Sequence, residues 1–169
     1  DWAVTWQQKV GGAALASSTS LLPVLVGMDW PDSRRLGVGD GPVPSLTFTC
    51  GPLFDAVRES LGPDAHFTHI TANRYSPDRW PACRRHTDSQ NVGEGWLTQL
   101  GLFEGGVLEY ADGVREQRLD VWLPHRGHIP HWTTPVTSGV RYSVIAYTLP
   151  PLDEADGWAP PQSRAPIPW

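Results

Sequence analysis

The clearest helical pattern in the chain is GPLFDAVRESLGP, residues 51 to 63. Leu53, Phe54, Val57 and Leu61 recur at a spacing that puts them on one face of a helix. Pro52 suits a first helical position, and Gly62 with Pro63 suits a stop. A second apolar run, LLPVLVGM, is short and contains Pro23. Most of the remaining pattern alternates with period two. SLTFTC, HFTHITANRY, GWLTQLGLF, VLEY, VREQRLDVWLP and GVRYSVIAYTL all read as strands or strand regions. The last is the strongest, being rich in β-branched and aromatic residues. EGG at 104–106 and ADG at 111–113 read as turns. GGAALASSTS reads as loop or weak helix, GVGDGPVPS as loop, and 150–169 as a Pro-rich extended tail. One helix followed by many antiparallel strands predicts a mainly β fold, a sandwich or jelly roll with a helical buttress.

Composition adds limits to that picture. A chain of 169 residues suits a single domain with a sizeable core. Within it, 1–65 reads as N-terminal support, 66–149 as a β-core and 150–169 as the tail. Gly and Pro together number 34, which argues for many turns and against a helical bundle. No apolar stretch is long enough to span a bilayer as a helix. Two cysteines make no disulfide framework, so an intracellular, reducing compartment is expected, and no obligate protein partner is evident. The net charge of −5 means that any contact with nucleic acid must come from a local patch.

The chemistry begins at RRHTDSQN, residues 84–91. His86 and Asp88 stand two apart, and in an extended segment both side chains point to one side. A distal histidine would complete a two-His, one-carboxylate set, which leaves three metal positions open. His125, His128 and His131 are all available. Spacing favours His131, because Arg141 follows ten residues later and Ser143 shares the Arg141 strand face. An Arg-x-Ser pair offers a carboxylate a bidentate salt bridge and a hydroxyl bond. A turn at 137–139 is expected to bring this strand back beside the one holding His131. Cys83 and His86 have zinc-like Cys-x-x-His spacing, but a structural zinc site wants a second pair, and Cys50 has no partner nearby.

His-x-Asp, a distal His and Arg-x-Ser ten residues on resemble the 2-oxoglutarate- and Fe(II)-dependent dioxygenases, over about Ile70 to Thr148. The resemblance implies a double-stranded β-helix (jelly roll, cupin-like) buttressed by helices. It implies iron on His86, Asp88 and His131, and 2-oxoglutarate anchored by Arg141 and Ser143, with O2 as the oxidant. Asn73 and Tyr75 lie on the strand that lines the co-substrate pocket in related folds. HTDSQN, LGLFEGGVLEY, PHW and SGVRYSVIAYT are further similar to the TET/JBP branch, which oxidises the 5-methyl group of pyrimidines in DNA. That narrower resemblance implies DNA containing a methylated pyrimidine as partner, with Asn91 near the target base. Arg84 is then a candidate phosphate contact. Trp80, Trp96, Trp132 and Tyr142 are candidate aromatic walls for an extruded base. His125 and His128 are expected as turn residues near the mouth of the site, or as supports for it.

Overall fold

The computed structural model describes residues 15–33 and 43–151. A 3₁₀ turn, Thr19–Leu21, leads into helix α1, Leu22–Gly27, with Pro23 in its first turn. Strand β1 is Ser45–Phe48, and helix α2 is Pro52–Leu61. Helix α2 starts and stops where its sequence indicates. Gly51 and Gly62 flank it at positive φ, and the Gly62 N–H donates to the Arg58 carbonyl.

Ten strands follow: β2 His69–Tyr75, β3 Cys83–His86, β4 Val92–Leu100, β5 Phe103–Gly105, β6 Leu108–Tyr110, β7 Arg115–Glu116, β8 Leu123–Pro124, β9 His131–Thr133, β10 Val136–Gly139 and β11 Arg141–Thr148. One sheet has the order β1-β2-β11-β4-β8, the other β3-β9-β6-β7, and β5 pairs with β10. Every pairing between these strands is antiparallel. From β2 to β11 the chain passes back and forth between the two sheets, so each layer is assembled from strands distant in sequence. This strand order is that of a double-stranded β-helix.

Period-two alternation decides what each face of the larger sheet does. On β11, Tyr142, Val144 and Ala146 join the main core with Ile70 and Ala72 of β2 and Leu100 of β4. Leu53, Phe54 and Val57 of α2, and Leu25 of α1, complete that core. The helices therefore cover the outer face of the larger sheet. The alternate residues of β11, Arg141, Ser143 and Ile145, line a cavity on the inner face with Asn73, Tyr75 and Leu97. The other side of this cavity is lined from the smaller sheet by Cys83, His86, Leu108, His131 and Thr133.

Several readings of the pattern change in the structure; Glu104 and Gly105 of EGG, expected as a turn, end β5. VREQRLDVWLP is not one strand region, because β7 and β8 belong to different sheets and the chain between them crosses over. The crossing is held by the Gln99 side chain, which donates to the Glu116 and Arg118 carbonyls. GWLTQLGLF is two strands, broken at Gly101. Residues 137–139, expected as a turn, belong to β10, and the strand after them does not return beside β9. It pairs with β2 and β4, so Arg141 faces His131 across the cavity from the opposite sheet. Among the described residues no helix is long and apolar enough to cross a membrane. Most of the Pro-rich tail, and parts of GGAALASSTS and GVGDGPVPS, lie outside the described residues.

Candidate metal centre and its cavity

His86 ends β3 and His131 begins β9, and the two are direct partners in the antiparallel register. Their ring centroids are 4.4 Å apart. Each imidazole sets its Nδ1 2.8 Å from a backbone carbonyl two residues earlier, Arg84 for His86 and Ile129 for His131. A carbonyl only accepts, so Nδ1 carries the proton in both rings and Nε2 presents a lone pair. These Nε2 atoms look toward Asp88. His86 Nε2 is 3.8 Å from Asp88 Oδ1, and His131 Nε2 is 3.7 Å from Oδ2. One ligand atom from each of the three residues lies within 4.8 Å of the other two. Bonds from such ligands to a metal are about 2.1 Å long, so the three atoms would have to draw closer together to share one ion.

The protonation states suit a cation. Burial pushes the Asp88 carboxyl up, but the His125 hydrogen bond and the pull of His125, His131 and His86 outweigh it and bring the group down to about 2. Burial holds His131 down to about 4. At neutral pH the pocket therefore offers a carboxylate and a neutral imidazole, the forms that bind metal.

Asp88 does not share a strand with His86. Strand β3 ends at His86, and its register against β9 slips between Cys83 and His86, so the expected i, i+2 extended geometry is absent. Asp88 is placed instead from outside its own segment: its N–H donates to the Gly127 carbonyl at 2.8 Å.

The opposite wall holds all four residues expected to bind a co-substrate. Asn73 faces Ser143 across β2 and β11, and its Nδ2 donates to the Ser143 hydroxyl at 3.1 Å. Tyr75 faces Arg141, whose guanidinium carbon lies 4.8 Å from the ring centroid. Arg141 is 1 % exposed. Its Nε and Nη2 donate to the neutral Gln99 oxygen at 3.3 and 2.6 Å, while Nη1 has no hydrogen-bond partner among the described residues. Burial pushes this guanidinium below its ordinary range. A buried cation with an open N–H in the cavity wall is what an anionic carboxylate would satisfy. The cavity is narrow, about 30 Å³, room for one or two waters. A dicarboxylate would need side-chain movement to enter it.

Other candidates lie elsewhere. Arg84 is exposed, and it is its carbonyl that serves the site. Trp132 does not line the cavity; its Nε1 donates to Glu109 and Arg85 lies over its ring. Tyr142 and Trp96 pack into the main core, and Trp80 stacks on Tyr75 at 4.5 Å. A separate cleft of about 770 Å³ begins at Asp88 and contains Asn91. Its aromatic member is Tyr147, the last aromatic residue of SGVRYSVIAYT, to which the sequence reading gave no role of its own. Ser45, Thr47, Thr71 and Gln90 add hydroxyl and amide groups, and Asp88 is the charged residue among the described ones that line it.

His128 is exposed, as a turn residue should be. His125 is buried, and its Nε2 is 2.7 Å from Asp88 Oδ2. The Cys83 thiol lies 3.7 Å from His86 Nδ1, on the ring edge away from Nε2, so Cys83 and His86 do not form a zinc pair.

No protein-family profile matches the chain, and no curated protein matches it. Solved structures do. NgTET1 in complex with 5mC DNA aligns over 49 % of this chain and 34 % of its own, at 22 % identity and a TM-score of 0.42. The viral collagen prolyl hydroxylase vCPH from Paramecium Bursaria Chlorella virus-1, in a 2OG complex, aligns over 77 % of this chain and 87 % of its own, at 12 % identity and a TM-score of 0.49. The chain thus spans about a third of the length of the first. The double-stranded β-helix rests on the strand order above rather than on these likenesses.

Proposed function

We propose that the protein is a 2-oxoglutarate- and Fe(II)-dependent dioxygenase that hydroxylates the methyl group of 5-methylcytosine, or of thymine, in DNA. One observation carries the oxygenase part. His86, Asp88 and His131 present a metal-binding set at one wall of a cavity whose facing wall holds a buried, incompletely satisfied arginine.

In this reading His86 Nε2, an Asp88 carboxylate oxygen and His131 Nε2 would hold the iron. Bound iron with 2-oxoglutarate and O2 supplies the oxidising chemistry, converting C–H to C–OH with release of succinate and CO2. Arg141 Nη1 and the Ser143 hydroxyl receive the distal carboxylate, with Asn73 and Tyr75 orienting that pair. Leu97, Leu108 and Ile145 line the same space and limit its water.

The DNA part rests on the resemblance of HTDSQN, LGLFEGG and SGVRYSVIAYT to the TET/JBP pattern and on Asn91, which stands in the cleft that begins at Asp88. Its amide both donates and accepts, as recognition of a pyrimidine edge requires. Tyr147 offers a face for stacking, and exposed Arg84 reaches outward from the edge that ends in His86 as a phosphate contact. A second reading is hydroxylation of a protein side chain such as proline, or of a small metabolite. The net charge of −5 and the absence of a basic side chain among the described residues of the cleft favour it.

Succinate formation with Fe(II) and 2-oxoglutarate, measured with methylated duplex, unmethylated duplex and a Pro-rich peptide, separates these readings. Nucleoside mass spectrometry of the duplexes should show 5-hydroxymethylcytosine or 5-hydroxymethyluracil. Neither product, with succinate driven by the peptide, would leave the oxygenase and remove the DNA substrate. No succinate under any condition would leave a binding domain.

A further inference from the structure

We infer that His125 is a positioning residue for the Asp88 carboxylate, holding Oδ2 through its Nε2–H so that Oδ1 is presented beside His86 Nε2. The inference rests on the metal reading of His86, Asp88 and His131.

The two histidines of that set are fixed by the sheet, as direct partners in the β3–β9 register. Asp88 has no such support, because it lies beyond the end of β3. The segment 125–127, which follows β8, holds Asp88 at two points. The Gly127 carbonyl accepts from the Asp88 N–H at 2.8 Å, and His125 Nε2 meets Asp88 Oδ2 at 2.7 Å. His125 is itself anchored, its N–H donating to the Gly95 carbonyl at 2.8 Å. Its side chain is 4 % exposed, so the imidazole has little freedom to leave the carboxylate.

The tautomer follows from the partners. A carboxylate oxygen at 2.7 Å needs a donor, so Nε2 carries the proton. His125 Nδ1 has no hydrogen-bond partner among the described residues, which leaves the Asp88 contact as the one polar interaction that sets the ring's orientation there. Gly127 makes the close approach possible. A Cβ on Gly127 would lie 2.8 Å from His125 Nε2 and 3.0 Å from Asp88 Cβ. With Oδ2 engaged by His125, Oδ1 lies 3.8 Å from His86 Nε2, while Oδ2 keeps 3.7 Å to His131 Nε2.

The test is Co(II) affinity, by calorimetric titration of the metal-free protein, with thermal denaturation of each metal-free variant as the check on folding. His125→Ala should weaken Co(II) binding by roughly 10- to 100-fold, the usual cost of losing a partner behind a ligand. His125→Gln, whose side-chain amide can donate to the same oxygen, should recover most of the affinity. Gly127→Ala, whose Cβ would push against His125 Nε2 and Asp88 Cβ, should reproduce the loss with the imidazole retained, and it stands in if His125→Ala does not fold. A folded His125→Ala that binds Co(II) as the wild type does overturns the inference and leaves the metal reading intact. Wild-type protein that binds no Co(II) overturns both.

Discussion

Gly106 borders the Arg141 side chain so closely that a Cβ there would lie 2.9 Å from Arg141 Cδ, and as near to Val136 Cγ2. Gly106 also has φ +61. The second glycine of LGLFEGG is therefore the space that Arg141 occupies. Gly106→Ala should cost about 1–2 kcal/mol from the left-handed backbone alone, read as a lower denaturation midpoint. It should also displace Arg141 and weaken 2-oxoglutarate binding by roughly tenfold, equivalent to about 1.4 kcal/mol, with Co(II) affinity unchanged. Wild-type 2-oxoglutarate affinity in that variant would show that the glycine serves the backbone only.

Arg141 itself links co-substrate to stability. A ligand that binds only the folded protein stabilises it, by about 2.7 kcal/mol at a hundred times its Kd. With Co(II) bound, 2-oxoglutarate should raise the Tm of the wild type. Arg141→Ala leaves the incoming carboxylate without its cation, a loss of about 3–5 kcal/mol, so affinity falls by roughly two to four orders of magnitude. The Tm shift should then vanish at the same ligand concentration. An equal shift in both proteins would remove Arg141 from the co-substrate site.

The residues legible in the sequence are those whose spacing is set by a single element. Asn73, Tyr75, Arg141 and Ser143 alternate on two long strands, and the β2–β11 register delivers all four to one wall. His86 and His131 were visible as residue types at suitable intervals, although not as cross-strand partners. The supports of the site were not legible. His125 reaches Asp88, Gln99 reaches Arg141 and Tyr147 enters the cleft through pairings between strands far apart in sequence. No local period reports such contacts. Trp132 misled because its neighbours His131 and Thr133 take the inward positions of a three-residue strand, which turns Trp132 to the other face.

The pH dependence of folding should carry the mark of His131. Its value falls from 6.5 to about 4 because burial disfavours the charged ring. Between those values the unfolded chain binds the proton and the folded one does not, so stability rises with pH across that window and is level above it. The full difference is worth about 3 kcal/mol. Asp88 acts lower, its stabilisation being present above 3.8 and lost as pH falls toward about 2. Denaturant midpoints of metal-free protein from pH 4 to 8 should climb to about pH 6.5 and then flatten, and His131→Gln should remove most of that climb. Parallel profiles for the two proteins would mean that His131 titrates normally.

Asn91 is the residue on which base recognition can be tested apart from the chemistry. Its backbone N–H donates to the Asp88 carbonyl at 3.1 Å, and its side chain faces the cleft that begins at Asp88. Asn91→Ala keeps the backbone contact, so iron and 2-oxoglutarate binding should be unchanged, as should 2-oxoglutarate decay without DNA. What is lost is the amide. A buried hydrogen bond to a base edge is worth about 1–3 kcal/mol, so kcat/KM on methylated duplex should fall by roughly 5- to 150-fold. Asn91→Asp retains an acceptor and loses the donor, so its preference between methylated cytosine and thymine should move in favour of the base with a donor at its 4-position, which is cytosine with its exocyclic amine where thymine has a carbonyl. Product ratios from duplexes carrying each base, measured by nucleoside mass spectrometry, report that preference directly. Equal turnover by wild type and Asn91→Ala on every duplex would take Asn91 out of base recognition and shift the weight to the hydroxyl-lined remainder of the cleft.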